Sequence, residues 1–149
     1  MATKRKVVRR ATGGARSKPA ARGHRPDVIL DVDCESGMLF LVLRNIGEDL
    51  ACRVSVKFSP ALVGLGGERV VSDAAIFRRL AYLPPGKSIR VLLDSAPLFF
   101  NRRQENSFRA RVQYRSRGGN EFSETFTHDL DVYRDLPEAG TYPKQLSTT

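Results

Sequence analysis

Residues 108–129 read FRARVQYRSRGGNEFSETFTHD. Phe108, Ala110, Val112 and Tyr114 alternate with Arg109, Arg111, Gln113 and Arg115, the period-two pattern of a strand with one buried and one solvated face. Gly118-Gly119-Asn120 follows, residues that tolerate positive φ, so the chain reverses there as a hairpin. Residues 121–129 return as the partner strand. Glu124 shares the parity of Phe122 and Phe126, so a regular strand turns its carboxylate inward. A bulge or an edge position is expected to resolve that conflict.

The same grammar extends toward the N-terminus. Residues 27–34 (DVILDVDC) place Val28, Leu30, Val32 and Cys34 on one face, and Glu35-Ser36-Gly37 makes a tight turn. Residues 38–44 (MLFLVLR) are apolar on both parities, as in a central strand covered on two sides. In 51–58 (ACRVSVKF), Cys52, Val54, Val56 and Phe58 are expected inward, with Arg53, Ser55 and Lys57 outward. Residues 68–80 read as a short strand followed by a helical turn around 72–77. Leu83-Pro84-Pro85-Gly86 is a turn, and 88–94 is a strand with Ile89, Val91 and Leu93 inward. Residues 130–133 extend the last strand or add another. About seven short strands without a long helix predict an all-β antiparallel sandwich over 27–134, with a small barrel as the competing architecture.

Charge is segregated along the chain. Lys4, Arg5, Lys6, Arg9, Arg10, Arg16, Lys18, Arg22 and Arg25 all lie in residues 1–26, which hold no acidic residue. The other 16 of the 25 Lys/Arg balance all 16 Asp/Glu, so the segment 1–26 carries the whole formal charge of +9. Without an aromatic, that segment cannot bury enough apolar surface to offset its backbone entropy, and a disordered basic tail is expected there. Residues 135–149, rich in Pro, Gly, Ser and Thr, are expected to be a flexible C-terminal tail. The basic start lacks the apolar stretch of a secretory signal, although an organelle transit peptide fits its composition. No run is long enough to span a membrane. Two cysteines, Cys34 and Cys52, make no disulfide framework, which points to a cytoplasmic, reducing setting.

Residues 27–134 resemble the immunoglobulin-like β-sandwich modules of bacteria and archaea, the adhesion-related type among them. The likeness rests on Asn45, Gly47, Ala51, Val54 and Val56, an Asn-x-Gly strand end followed by a small residue and a Val-x-Val strand. It continues in the turn Leu83-Pro84-Pro85-Gly86-Lys87-Ser88 and in the closing hairpin. The resemblance implies an immunoglobulin-like topology of about seven strands. It transfers no function.

Catalytic and metal-binding constellations are thin. Cys34 or Cys52 with His128 is the one nucleophile–base pairing available, and Cys52 reads better as a small core residue. Asp31, Asp33 and Glu35 share a strand face and read as a polar outer edge before a cation site. Gly64-Leu65-Gly66-Gly67 lacks the Lys-Ser/Thr continuation of a phosphate loop. No enzyme, metal or cofactor is expected.

Two features point to partners. The basic tail fits nucleic acid or another polyanion, bound without sequence preference and weakened by salt. If the Arg53/Lys57 strand lies beside the Arg109/Arg111 strand, then Arg53, Lys57, Arg109, Arg111 and also Arg115 form a second basic patch. The leading reading is a binding or adaptor module whose sandwich contacts a protein partner or itself. The alternative is a structural subunit of an envelope, phage or ribonucleoprotein particle, favoured if Leu98-Phe99-Phe100 is exposed.

Overall fold

The alternating runs are strands in the structure, a computed structural model that describes residues 3–6 (backbone only), 24–102 and 104–136. In chain order these are β1 (Thr3–Lys6), β2 (Val28–Glu35), β3 (Met38–Asn45), β4 (Ala51–Ser59), β5 (Val63–Gly64), β6 (Arg69–Val70), β7 (Leu80–Leu83), β8 (Ser88–Ser95), β9 (Ser107–Arg115) and β10 (Glu121–Asp129). Two short helices, α1 (Ala75–Arg78) and α2 (Ala96–Asn101), fill connections. Antiparallel pairing builds a five-stranded sheet in the order β1-β10-β9-β4-β7 and a three-stranded sheet in the order β2-β3-β8. Their inner faces share one core. Leu30, Leu41, Leu43 and Leu93 from the smaller sheet meet Val54, Phe108, Val112 and Tyr114 from the larger, each 2% exposed or less. The protein is an all-β antiparallel sandwich. Among the described residues no helix is long and apolar enough to cross a membrane.

Several local expectations hold. Ser36 and Gly37, both at positive φ, close β2 onto β3 in a two-residue turn. The segment 68–80 contains the short β6, a 3-10 turn and α1. Others are corrected. Residues 130–133 form a 3-10 turn and not a strand, because the Asp129 carboxylate accepts from the Asp131 N–H and fully buried Leu130 anchors the turn. Strand β7 was hidden beside the Pro-Pro turn, and α2 is started by Ser95, whose hydroxyl accepts from Leu98 N–H, with Pro97 in the first turn. Within α2 only Leu98 of the apolar triplet is exposed; Phe99 is fully buried, and Phe100 lies under the Arg134 guanidinium, 4.6 Å from the ring centre.

Two stretches of the basic N-terminal segment make contacts with the sandwich. Thr3–Lys6 pairs in register with β10, where the outer edge of that strand offers unpaired backbone groups. Charged residues suit an edge strand because they discourage further pairing. At the other end Pro26 is buried, Arg25 lies 5.6 Å from the Phe122 ring centre, and the Arg25 carbonyl accepts from Glu48 N–H at 3.0 Å. Residues 7–23, with Arg9, Arg10, Arg16, Lys18 and Arg22, lie outside the described residues, as do 137–149.

No bulge relieves Glu124, because the β9–β10 register is unbroken from Glu121 to Asp129; on the other side of β10 the pairing with β1 spans Thr125–His128 and stops short of Glu124. The side chain points inward and is fully buried, with the Tyr114 hydroxyl donating to its Oε1 at 3.4 Å. Its inward neighbour His128 is also buried, stacked on Phe108, with Nε2 2.8 Å from the Leu30 carbonyl of the opposing sheet. A carbonyl only accepts, so Nε2 carries a proton.

Asn45 closes the sandwich at the end of β3. It is fully buried, and its amide is saturated. Oδ1 accepts from Asp27 N–H at 3.1 Å and Gly47 N–H at 2.9 Å, while Nδ2 donates to the Asp49 carbonyl at 2.8 Å and the Leu83 carbonyl at 2.9 Å. Gly47 must lack a side chain, since a Cβ there meets the Arg25 carbonyl oxygen at 2.4 Å.

Two stability predictions follow from these buried groups. Asn45→Ala strands several backbone groups without partners, and each stranded group costs about 1–3 kcal/mol. A loss of at least about 3 kcal/mol is expected in urea denaturation; a loss within error of zero would show that the amide is dispensable. Burial pushes the His128 pKa below its ordinary 6.5, against smaller opposing effects of the Leu30 hydrogen bond and the Asp31 charge. The unfolded chain therefore takes up this proton first, and stability declines as pH falls below about 6.5 until the folded protein also protonates. Denaturation at about pH 7.5 and about pH 5.5 should show that decline in the wild type and a smaller one in His128→Gln.

Candidate polyanion-binding face

The outer face of the five-stranded sheet is organised in cross-strand rows. In one row Arg109 lies between Thr127 of β10 and Ser59 of β4, and the β1 register sets Lys4 opposite Thr127. In the next, Arg111 lies between Thr125 and Lys57, with Lys6 opposite Thr125. A neutral row of Ser123, Gln113 and Ser55 follows. The last row is Glu121, Arg115, Cys52 and Tyr82. The structure thus brings β4 beside β9, and Lys57, Arg109 and Arg111 are exposed on one face, as the sequence suggested.

Arg53 arrives there by a different route. The β4–β9 register shifts between Cys52 and Ser55, and Arg53 sits in this bulge at φ 52. The extra residue reverses the parity of the preceding positions. Ala51 becomes the fully buried core residue and Cys52 moves to the outer face, so the expectation of a core Cys52 is corrected. Cys34 and Cys52 form no disulfide among the described residues.

Around the bulge lie two open grooves that the sequence did not reveal. One, about 370 Å³, is lined by Arg53, Tyr82, Arg115 and Arg117 among others. The second, also about 370 Å³, is lined by Arg53, Arg78, Arg79 and Leu80. Arg78 and Arg79 end α1, and Tyr82 is on β7, elements that have no alternating pattern in the sequence.

Carboxylates are few on this face. Arg115 pairs with Glu121 at 2.8 Å, and Arg117 at the hairpin turn pairs with Asp49 at 2.9 Å. The Asp49 carboxyl is held below its usual range, first by the Leu50 N–H and then by Arg117. Among the described residues, Arg53, Lys57, Arg78, Arg79, Arg109 and Arg111 make no ion pair; Arg111 Nε donates to Ser123 Oγ at 3.1 Å. Lys57 directly opposite Arg111 sets like charges together, an arrangement that costs stability. The outer face of the smaller sheet is different: Asp33 and Glu35 there bind Arg90, whose guanidinium covers Phe40 at 4.0 Å. Asp33 and Glu35 thus share a cation, while the Asp31 carboxylate accepts from Val32 N–H at 2.8 Å.

The loop 64–67 is tied to a carboxylate of the protein itself. Its Gly66 N–H donates to the buried Asp94 carboxylate at 3.1 Å, and Asp94 is paired with Arg102 at 2.7 Å.

Residues 2–134 match the model of a family described as a domain of unknown function, DUF8453, and the chain belongs to that family. The match takes in the basic N-terminal segment together with the sandwich. No curated protein and no solved structure matches the chain.

Arg53 provides a local test of whether this face is kept at a cost in stability. A left-handed backbone costs a non-glycine residue roughly 1–2 kcal/mol. Arg53→Gly should therefore raise the unfolding free energy by about 1 kcal/mol. An unchanged or lower thermal midpoint would show that the Arg53 side chain itself holds the bulge.

Proposed function

We propose that this chain is a non-enzymatic binding module that holds nucleic acid, or another polyanion, on the outer face of its larger sheet, with the basic N-terminal segment extending the contact. The observation that carries the reading is the pair of cationic rows around Arg109 and Arg111, with Lys57 set against Arg111 and no carboxylate paired to any of the three among the described residues. Two further features support it. The β1 register sets Lys4 and Lys6 at the ends of those same rows. The flanking residues are Ser, Thr and Gln, which donate hydrogen bonds to phosphate oxygens.

The same reading takes the sandwich to be immunoglobulin-like. The strand order supports it: β2-β3-β8 in one layer and β10-β9-β4 in the other correspond to the ABE and GFC layers of that topology. It also takes the setting to be reducing and cytoplasmic, supported by two cysteines that form no disulfide among the described residues. A protein partner, or a second copy, is assigned to the sandwich surfaces away from the basic face.

Binding to phosphate backbones releases counterions, so log K falls with log salt by about 0.9 per neutralised phosphate on a duplex. Fluorescence anisotropy with a labelled DNA duplex over a salt series tests the proposal. Lys57→Glu combined with Arg109→Glu should weaken binding by at least roughly tenfold at low salt and make the slope shallower by about two. Absence of wild-type binding at low salt, or a slope that the double variant leaves unchanged, would sink it.

A further inference from the structure

We propose that the paired grooves around Tyr82 are a subsite for single-stranded nucleic acid, with a base laid on the Tyr82 ring and phosphates held by Arg53, Arg78 and Arg79. The inference rests on the polyanion reading above and narrows it to one ligand class.

Tyr82 is 61% exposed, the highest value among the large hydrophobic side chains of the described residues, whereas Tyr114 in the core is 2% exposed. What sets this exposed ring apart is its position. The register places Tyr82 opposite Cys52, and Cys52 opposite Arg115, so ring, small thiol and guanidinium follow one another across three strands. Two strand spacings put the ends of that row about 10 Å apart. The small Cys52 leaves the space between them open, which is the groove of about 370 Å³. Arg53 belongs to this groove and to its neighbour, and the neighbour adds Arg78 and Arg79. Each volume is within the range of pockets that take a small ligand.

The chemistry distinguishes ligand classes. Cations alone would recognise any polyanion. An exposed aromatic ring among cations adds a platform for a flat apolar ring, and nucleobases present that face only when they are unpaired. In a duplex the faces are stacked and only edges and phosphates are accessible. Arg115 and Arg117 are each held by a carboxylate, Glu121 and Asp49, which fixes their position and reduces their charge. Arg53, Arg78 and Arg79 carry no such partner among the described residues, and their full charge faces the grooves.

The test uses the full chain and four probes: labelled oligothymidylate, labelled oligouridylate, a DNA duplex of the same length and inorganic polyphosphate. Stacking contributes about 1–3 kcal/mol per base, so Tyr82→Ala should weaken both single strands on the order of tenfold, with duplex and polyphosphate affinities changed by less than about twofold. Tyr82→Phe should bind as the wild type does, because the ring and not the hydroxyl carries the contact. The chain has no Trp, so Tyr82→Trp introduces a single indole emission at the site. That emission should be quenched by the single strands and not by polyphosphate. A Tyr82→Ala variant that binds single strands as the wild type does, or that loses all four probes equally, overturns the subsite while leaving polyanion binding in place. A wild type that binds none of the four overturns the broader reading as well. A difference between the two single strands selects RNA or DNA within the proposed class.

Discussion

Asn45 occupies the corner where β3 leaves the smaller sheet for β4 of the larger one, with every hydrogen-bonding site of its side-chain amide engaged. Through them it joins the start of β2, the 46–49 loop and the end of β7. Its own carbonyl accepts from Gly86 N–H at 2.8 Å, so the Pro-Pro turn is tied to the same point. A buried amide is costly unless all its groups are met, so the arrangement permits little variation. Much else depends on it. The angle at which the chain crosses between layers, the close approach that excludes a side chain at Gly47, and the anchoring of β7 as the last strand of the larger sheet all meet here.

The second constraint is the bulge at Arg53. A regular β4 would have buried Cys52 and left Ala51 outside. The inserted residue reverses this, places a fully buried Ala51 against the core, and opens the outer surface where β7 joins. The left-handed backbone at Arg53 and the facing charges of Lys57 and Arg111 are both unfavourable to folding taken alone. Both occur on the sheet face proposed above to bind a polyanion, and local strain and unpaired charge tend to gather at ligand-binding surfaces. The smaller sheet, where Arg90 is matched by Asp33 and Glu35, shows the ordinary solution.

The buried row on β10 shows a different balance. Phe122, Glu124, Phe126 and His128 all point into the core, and the two polar members are accommodated there by hydrogen bonds from Tyr114 and to Leu30. His128 reaches across the sandwich, so its Nε2–H is part of the link between the layers.

Much of this was legible from sequence. Strand positions, the hairpins at 36–37 and 118–120, and the segregation of charge are local properties, because side-chain alternation and turn chemistry are written residue by residue. Even the meeting of Lys57 with Arg109 and Arg111 followed once adjacent strands were assumed. What required the tertiary structure was everything that depends on pairing. The bulge at Arg53 arises only when β4 is registered against β9. Strand β7 exists only because β4 offers an edge, and β1 because β10 does. Tyr82, Arg78 and Arg79 gather because the chain brings α1 and β7 to the Arg53 bulge. Glu124 could be read as misplaced from its neighbours in sequence, but its acceptance in the core rests on Tyr114 of the adjacent strand. Alternation specifies which residues share a face; only the register between strands, a non-local property, decides which faces and charges meet.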